Sequence, residues 1–443
     1  MTTDQPSRPT KVLAKYVLSS ITAMWVFSLY TMVDGMFVAR GVGPDALAAV
    51  NLAMPCINVS FTLSILLSVG ASTKASICKG RQDLDQANRV FTQGAVSALG
   101  LALVYTALCL LALPSLVTFL GADQDTSRDV TTYLRIILLF NTAYVVSYYL
   151  EVLAKADGFP QLAIVVPACG AVCNIALDYL FIFHFGWGVA GAAWATGIAQ
   201  VLSMILFAVH FLSRRSGFSF VSIRWKGREA LAMAKLGVAD SLNEFSVAVT
   251  IYLFNRVLGH YAGADGIAIY TVISYVSQLI LMTMVGLNQG MQPLLSYYYG
   301  KGDHPTMRWM IRTCLSIAAT LSGVIFFVCY LAPGPIVGAF LDPIKETALY
   351  QMGLHAFRLF SFWCLPVGLV VIIAGCFTAV EKAGRAMAIS LCRGVLFVAA
   401  ALPLMVNLLG TDGIWLTMAV AEGFALLLAG ILWAQGRRRF FGF

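Results

Sequence analysis

The sequence predicts an all-α membrane protein with twelve transmembrane helices in two pseudo-symmetric six-helix lobes. Three observations carry this reading. The first is composition: of 443 residues, 59% are hydrophobic and only 11% charged, where a soluble domain carries about 25% charged residues. Mean hydropathy is +0.82. The second is a series of about twelve apolar stretches, most of them long enough to cross a bilayer as helix. The third is an internal duplication. At an offset of 220, Asp45-Ala-Leu-Ala-Ala-Val-Asn-Leu faces Asp265-Gly-Ile-Ala-Ile-Tyr-Thr-Val, Gly70–Gly80 faces Gly290–Gly300, and Asp83 faces Asp303. Internal repeats are the common plan of secondary transporters.

The spans follow in order. A polar Met1–Thr10 precedes span 1 at 12–38, which is too long for a signal core. Spans 2 to 6 occupy 46–77, 90–120, 129–154, 161–184 and 189–213. Arg214–Glu229 is the longest polar connector and sits at the midpoint. Spans 7 to 12 occupy 231–258, 265–298, 308–332, 348–379, 386–408 and 413–435. The domains are therefore an N-terminal lobe over 1–213, a cytoplasmic linker over 214–229 and a C-terminal lobe over 230–443. The glycine pair Gly188 and Gly191 before span 6 matches Gly410 and Gly413 before span 12, and Tyr133-Leu-Arg135 resembles Ala356-Phe-Arg358. Strand alternation with regular turns is absent, which argues against a β-barrel.

The charge pattern orients the chain. The formal net charge is +8, but Lys and Arg gather in alternate loops: Lys79 and Arg81 after span 2, Arg214 to Arg228 after span 6, Lys301 and Arg308 after span 8, Arg437 to Arg439 at the end. By the positive-inside rule both termini are cytoplasmic, which an even number of spans permits. This distribution is not a nucleic-acid footprint. The ten cysteines are scattered through apolar spans without a CxxC and read as reduced, buried small hydrophobes. Gly186-Trp-Gly-Val-Ala-Gly191 fits GxGxxG but follows no strand, so it is not a dinucleotide site. Asn58-Val-Ser60 is a sequon inside a span. Walker A, HExxH and GxSxG motifs are absent, which disfavours ATP-driven transport by this chain alone.

Ionisable groups inside spans are costly and are functional candidates. Asn174 and Asp178 are four residues apart and share a helix face. At 1.5 Å per residue, Asp34 lies about 9 Å below the outer end of span 1, with Asp178 and Thr196 about 9–12 Å below the outer ends of spans 5 and 6. Three helices thus bring Asp34, Asn174, Asp178 and Thr196 to one level. Two carboxylates with amide and hydroxyl oxygens are hard ligands suited to Na⁺, or to a shared proton. The plainer alternative for Asn174 and Thr196 is interhelical hydrogen bonding. Glu244, one turn after Asp240, would take a proton or meet a cationic substrate, or else pair with a polar neighbour such as Asn243. Arg393 and Glu422 fall at comparable depths on adjacent spans and read as a buried structural ion pair. Asn51, Tyr148, Asn288, Gln289 and Gln292, with nearby methionines, are candidate substrate contacts, each of them also explicable as packing. Glu151 stands near a span end.

Val33-Asp-Gly-Met-Phe-Val-Ala-Arg-Gly-Val-Gly-Pro-Asp-Ala-Leu-Ala-Ala-Val-Asn-Leu-Ala-Met-Pro55 resembles the multidrug and toxic compound extrusion (MATE) family. Gly286-Leu-Asn-Gln-Gly-Met-Gln-Pro-Leu-Leu-Ser296 and Leu236-Gly-Val-Ala-Asp-Ser-Leu-Asn-Glu244 are similar to its bacterial MepA-like branch. Asn174-Ile-Ala-Leu-Asp178 and Gly191-Ala-Ala-Trp-Ala-Thr196 resemble the family's ion-site helices. The resemblance implies a central cavity, no cofactor, and exchange of Na⁺ or H⁺ for organic cations, with Asp34, Asn174, Asp178 and Thr196 as the ion ligands. It also implies a multi-pass protein of the bacterial cytoplasmic (inner) membrane, whose partners are the lipid bilayer and small organic cations or drugs, acting as a monomer. Some members carry further acids on spans 7 and 10; here span 7 has Glu244 and the inner part of span 10 has none.

The expected function is secondary-active multidrug export by alternating access. The alternatives are a flippase of a lipid-linked precursor, or an exporter of one specific metabolite. An intramembrane enzyme is disfavoured, because no His or Cys spacing supplies a nucleophile or metal pair. The duplicated scaffold does not repeat the chemistry: Asp34 maps to Phe254, Asn174 to Leu396, Asp178 to Ala400 and Thr196 to Met418.

Overall fold

The computed structural model describes residues 9–123 and 126–441, without the side chains of Pro44, Asp45, Ala264 and Arg439. Most of the polar segment Met1–Thr10 and the side chains of Asp45 and Arg439 therefore lie outside the described residues. Within them the chain is helical and contains no strand.

The first six spans form α1 (Pro9–Gly41), α2 (Pro44–Gly80), α3 (Leu84–Leu111) with a short α4 (Leu113–Phe119), α5 (Ser127–Asp157), α6 (Leu162–Asp178) and α7 (Gly188–Leu212). The second six form α8 (Gly227–Tyr261), α9 (Gly263–Lys301), α10 (His304–Leu331) with a short α11 (Pro333–Gly338), α12 (Thr347–Ser361) continuing as α13 (Cys364–Ala379), α14 (Ala383–Leu391) continuing as α15 (Phe397–Leu409), and α16 (Thr411–Phe441). Eleven stretches among the described residues are long and apolar enough to cross a bilayer. The remaining expected span is α8. Its 35 residues exceed the required length, but Lys235, Asp240, Glu244 and Arg256 place charge along it.

The duplication is written into the local structure. Asp83 caps α3 by accepting from the Gln86 backbone N–H at 3.0 Å. Asp303, its counterpart, caps α10 by accepting from the Thr306 N–H at 3.1 Å. Both satisfy an N–H that the first helical turn leaves unpaired. Before α10 the chain turns through Gly302 at φ 75°, a left-handed position that glycine fills without a Cβ penalty. The fifth spans of both halves also share a feature invisible in the periodicity. α6 widens into a π turn over Tyr179–His184, and α14 passes into α15 through a π turn over Cys392–Leu396. Such turns are rare and often mark functional sites.

Contacts divide the chain into two compact units, Met1–Gly237 and Val238–Phe443. In the first, Phe91 stacks on Phe218 with ring centroids 5.5 Å apart, and Tyr149 donates to the Phe91 carbonyl at 2.7 Å. A second cluster gathers Val38, Val130, Leu134 and Ile182. The second unit packs Phe254, Tyr270, Phe357, Trp363 and Trp415 together. In lipid such helices associate by close packing, helped by small residues. Gly70 of α2 is one: a Cβ there would overlap the Met233 backbone of α8. That close approach is why the first turns of α8 belong to the first unit.

The connector before α8 is not a free tether. It is pinned along α3: the backbone N–H of Ser219 donates to Asn88 Oδ1 at 2.9 Å and that of Val221 to Thr92 Oγ1 at 3.1 Å, while the Trp225 side chain donates through Nε1 to Ser97 Oγ at 3.0 Å. Asp157 anchors its start. One carboxylate oxygen accepts from Lys79 Nζ at 3.1 Å and the Gly217 N–H at 2.9 Å; the other meets His210 Nε2 at 3.0 Å and accepts from Ser216 Oγ at 3.1 Å.

All ten cysteines are free. Burial was expected for them all, and Cys56, Cys314, Cys329, Cys364 and Cys376 are buried, but Cys169 is exposed. An outward-facing thiol on a membrane span meets hydrocarbon, so apolar character does not require burial within the chain. Of the discarded sequon, Asn58 is exposed on α2, while Ser60 is buried and donates to Asn141.

Candidate functional site

Within the first unit, α1 packs against α6 and α7. This brings together the four residues singled out by depth. Asn174 and Asp178 are fully buried and Asp34 is 9% exposed. The carboxyl groups of Asp34 and Asp178 lie close enough to interact electrostatically, with Asn174 beside them. With its amide oriented to satisfy its neighbours, Asn174 donates to Asp178 Oδ2 at 2.9 Å and accepts from the Thr196 backbone N–H at 3.2 Å. One oxygen of each acid, Asp34 Oδ1 and Asp178 Oδ1, is buried without a protein partner.

Two ionised carboxylates cannot share a hydrogen bond, since neither carries a donor. Two acids brought this close are stabilised by a proton on one of them or by a cation between them. The unpartnered oxygens are costly unless such a guest satisfies them. Only two acids converge; the other donors are amide and hydroxyl oxygens. Among the described residues no group of three or more His, Cys, Asp or Glu could hold a metal ion. The set suits a weakly held, exchangeable H⁺ or Na⁺ better than a resident transition metal.

Two tyrosines complete the site and were not singled out for it in the sequence. Tyr30 of α1 stands near both acids, as does the buried Tyr133 of α5. Tyr30 had a signal: it precedes Asp34 by one helical turn and so shares its face. Tyr133 had none, because its place depends on how α5 packs. Asp178 is the last residue before the first π turn, and Gly191 of α7 lies directly against Phe181 in that turn.

The other candidates are distributed differently. Asn51 is exposed on α2, and Tyr148 packs edge-on against Phe61 with ring centroids 5.1 Å apart. In the second unit, Asn288 and Gln292 of α9 are buried and donate to Asp240 of α8 at 3.4 and 3.5 Å. Gln289 and Glu244 are half-buried. Asn243, considered as a partner for Glu244, instead accepts from Arg393 Nη1 at 3.3 Å. Arg393 Nε donates to Glu422 Oε1 at 2.8 Å, with both side chains buried. Glu151 is paired with Lys155 on its own helix at 3.2 Å.

One family model, MatE, matches the chain twice, over residues 20–180 and 241–402. The chain belongs to the MatE family. The paired matches are the two halves of the duplication. The first MatE segment contains Asp34, Asn174 and Asp178, and Thr196 lies just beyond it. The second contains Glu244, Asn288 and Arg393 and ends before Glu422. Among curated relatives, the multidrug export protein MepA of Staphylococcus aureus is 24% identical over 428 residues, covering 95% of this chain and 93% of its own. MepA of Staphylococcus saprophyticus is 24% identical over 416 residues, covering 92% and 91%. Among solved structures, a MATE protein in complex with MaL6 aligns with a TM-score of 0.91 at 20% identity, covering 98% of both chains. A MOP superfamily transporter from Pyrococcus furiosus aligns at 0.90 and 21% identity, covering 99% and 97%. The fold is thus that of MATE structures, and the chain is a multi-pass membrane transporter of this family.

Proposed function

We propose that this MatE protein is a secondary-active multidrug exporter of the bacterial cytoplasmic membrane, exchanging H⁺ or Na⁺ for amphipathic, mostly cationic organic compounds. The observation that carries the reading is the Asp34–Asp178 pair, two neighbouring buried acids with one oxygen of each unsatisfied. An ion bound there cancels one of the two charges; an empty site leaves two buried charges in repulsion. Ion occupancy therefore changes the relative free energy of conformations that differ in access to this site, which is what alternating access requires. The names of the staphylococcal relatives support drug export as the transported class. The basic clusters that alternate along the chain support cytoplasmic termini.

The test is export of a cationic dye from vesicles under imposed Na⁺ and pH gradients, applied separately. Wild-type protein should respond to one gradient, and Asp34→Asn to neither while remaining in the membrane. Gradient-driven export by Asp34→Asn at the wild-type rate would overturn the assignment.

A further inference from the structure

The last span does not fray at its end. α16 closes on Arg437, Arg438 and Arg439, followed by Phe440 and Phe441. Phe441 is fully buried, its ring centroid 4.6 Å from that of Trp433 and 5.7 Å from that of Phe377 on α13. Arg385 of α14 donates from Nη1 to the Leu432 carbonyl at 2.8 Å. Its guanidinium carbon lies 4.9 Å from the Phe440 ring centroid, and Lys382 Nζ lies 4.6 Å from the same centroid. Gly436 leaves room for the Arg385 guanidinium, which a Cβ there would displace. The end of α16 is thus seated on the turn between α13 and α14.

This corner carries charge that nothing balances. Arg437 and Arg438 are exposed, and among the described residues neither pairs with an acid. Lys382 and Arg385 form no ion pair there either. Glu381 stands beside Lys382 in the turn and offsets at most one of the four cations.

The outward face of α16 supplies a second observation. Leu427, Ile431, Ala434 and Arg438 follow at i, i+4, i+7 and i+11, which is one face of a helix. Leu427 is 65% and Ile431 57% exposed, and Ala434 is exposed as well. The stretch of α16 that is long and apolar enough to cross a bilayer ends at Arg438. From Leu427 to Arg438 the helix rises about 16 Å, half of the ~30 Å hydrocarbon core. One strip therefore runs from the middle of the membrane to its surface, first apolar and then cationic. That is the amphipathy of a phospholipid with a negative headgroup.

We infer that the end of α16 is a binding site for an anionic phospholipid. Its phosphate meets Arg437 and Arg438, whose planar guanidinium groups match phosphate oxygens two at a time. Its acyl chain lies along Ala434, Ile431 and Leu427, while Lys382 and Arg385 add to the positive field. Basic clusters that directly follow a membrane span recognise negative headgroups in this way. The seat formed by Phe440 and Phe441 fixes the helix end beforehand, so less ordering is needed on binding. The site does not depend on the Asp34–Asp178 pair.

Native mass spectrometry of the purified full-length protein, titrated with phosphatidylglycerol or with phosphatidylcholine of the same chains, tests this. Phosphatidylglycerol should bind saturably and at least about tenfold more tightly, and the preference should shrink as salt is raised. Arg437→Gln combined with Arg438→Gln should lower the affinity for phosphatidylglycerol by about fivefold per arginine and leave that for phosphatidylcholine unchanged. Arg437→Lys with Arg438→Lys keeps the charge and should retain most of the preference. Ile431→Ser should weaken both lipids. Asp34→Asn should bind as wild type does, so failure of this inference is separable from failure of the proposed ion exchange. Melting temperatures within a few degrees of wild type qualify each variant as folded. Equal binding of the two lipids, an undiminished preference in the double glutamine variant, or full displacement by an equal concentration of soluble glycerol phosphate, the mark of a site for the free anion, would each overturn the inference.

Discussion

Asp34 on α1 and Asp178 at the end of α6, 144 positions apart in the chain, are buried beside each other, and each keeps one buried oxygen with no protein partner. A purely structural acid is normally satisfied by donors around it. Under the proposed exchange, the coupling ion is what satisfies this pair. Replacing either acid by its amide should therefore uncouple transport rather than unfold the protein. Asp34→Asn and Asp178→Asn should each reduce gradient-driven export by at least about tenfold, the equivalent of ~1.4 kcal/mol, with normal amounts in the membrane by immunoblot. Asn174→Ala, which removes a neutral ligand, should have a smaller effect.

Ion and drug are linked reciprocally if they favour different states. For a proton-coupled exchanger, binding of a cationic dye to the purified protein should weaken as pH falls, because protons fill the acid pair. The same titration on Asp178→Asn should be flatter. For a sodium-coupled exchanger, added Na⁺ should weaken binding at constant pH. Fluorescence polarisation of the dye checks both.

The buried Arg393–Glu422 bond should matter for stability. Removing one partner from a buried pair strands the other charge and costs about 3–5 kcal/mol. Glu422→Gln should thus lower the melting temperature in detergent markedly. Arg393→Met combined with Glu422→Leu should recover most of the loss, since an apolar replacement of a buried pair is often neutral. A double variant that melts no higher than the single one would contradict a structural role for the pair.

Asp157 holds the connector through Ser216 Oγ and the Gly217 N–H, so Asp157→Ala should free it. Trypsin should then cut at Arg214 or Arg215 several-fold faster than in wild type. Lys79, whose ammonium also lies 4.7 Å from the Phe218 ring centroid, should keep part of the anchorage.

Gly375 of α13 lies where a Cβ would overlap Asn288. Gly375→Ala should push Asn288 away from Asp240 and destabilise the second unit by about 1–3 kcal/mol, read as a lower melting temperature.

Much of this was legible before any coordinates. Hydropathy located the helices, because spanning length is a physical constraint of the bilayer. Depth counting placed Asp34, Asn174, Asp178 and Thr196 at one level, because rise per residue is fixed. The repeat foretold that Asp83 and Asp303 would play one role. What the sequence hid depends on tertiary contacts. Tyr133 joins the site only through the packing of α5. The connector reads as a polar tether, yet its backbone N–H groups find Asn88 and Thr92 on α3. The π turns leave no mark on a 3.6-residue periodicity.

The account stands most directly on ion release. When a cationic drug binds the purified protein in weakly buffered detergent solution, wild type should release H⁺, or Na⁺ from protein equilibrated with it, and Asp34→Asn should release neither while still binding the drug. Equal release from Asp34→Asn, or none from wild type at saturating drug, would contradict the placing of the coupling ion between Asp34 and Asp178.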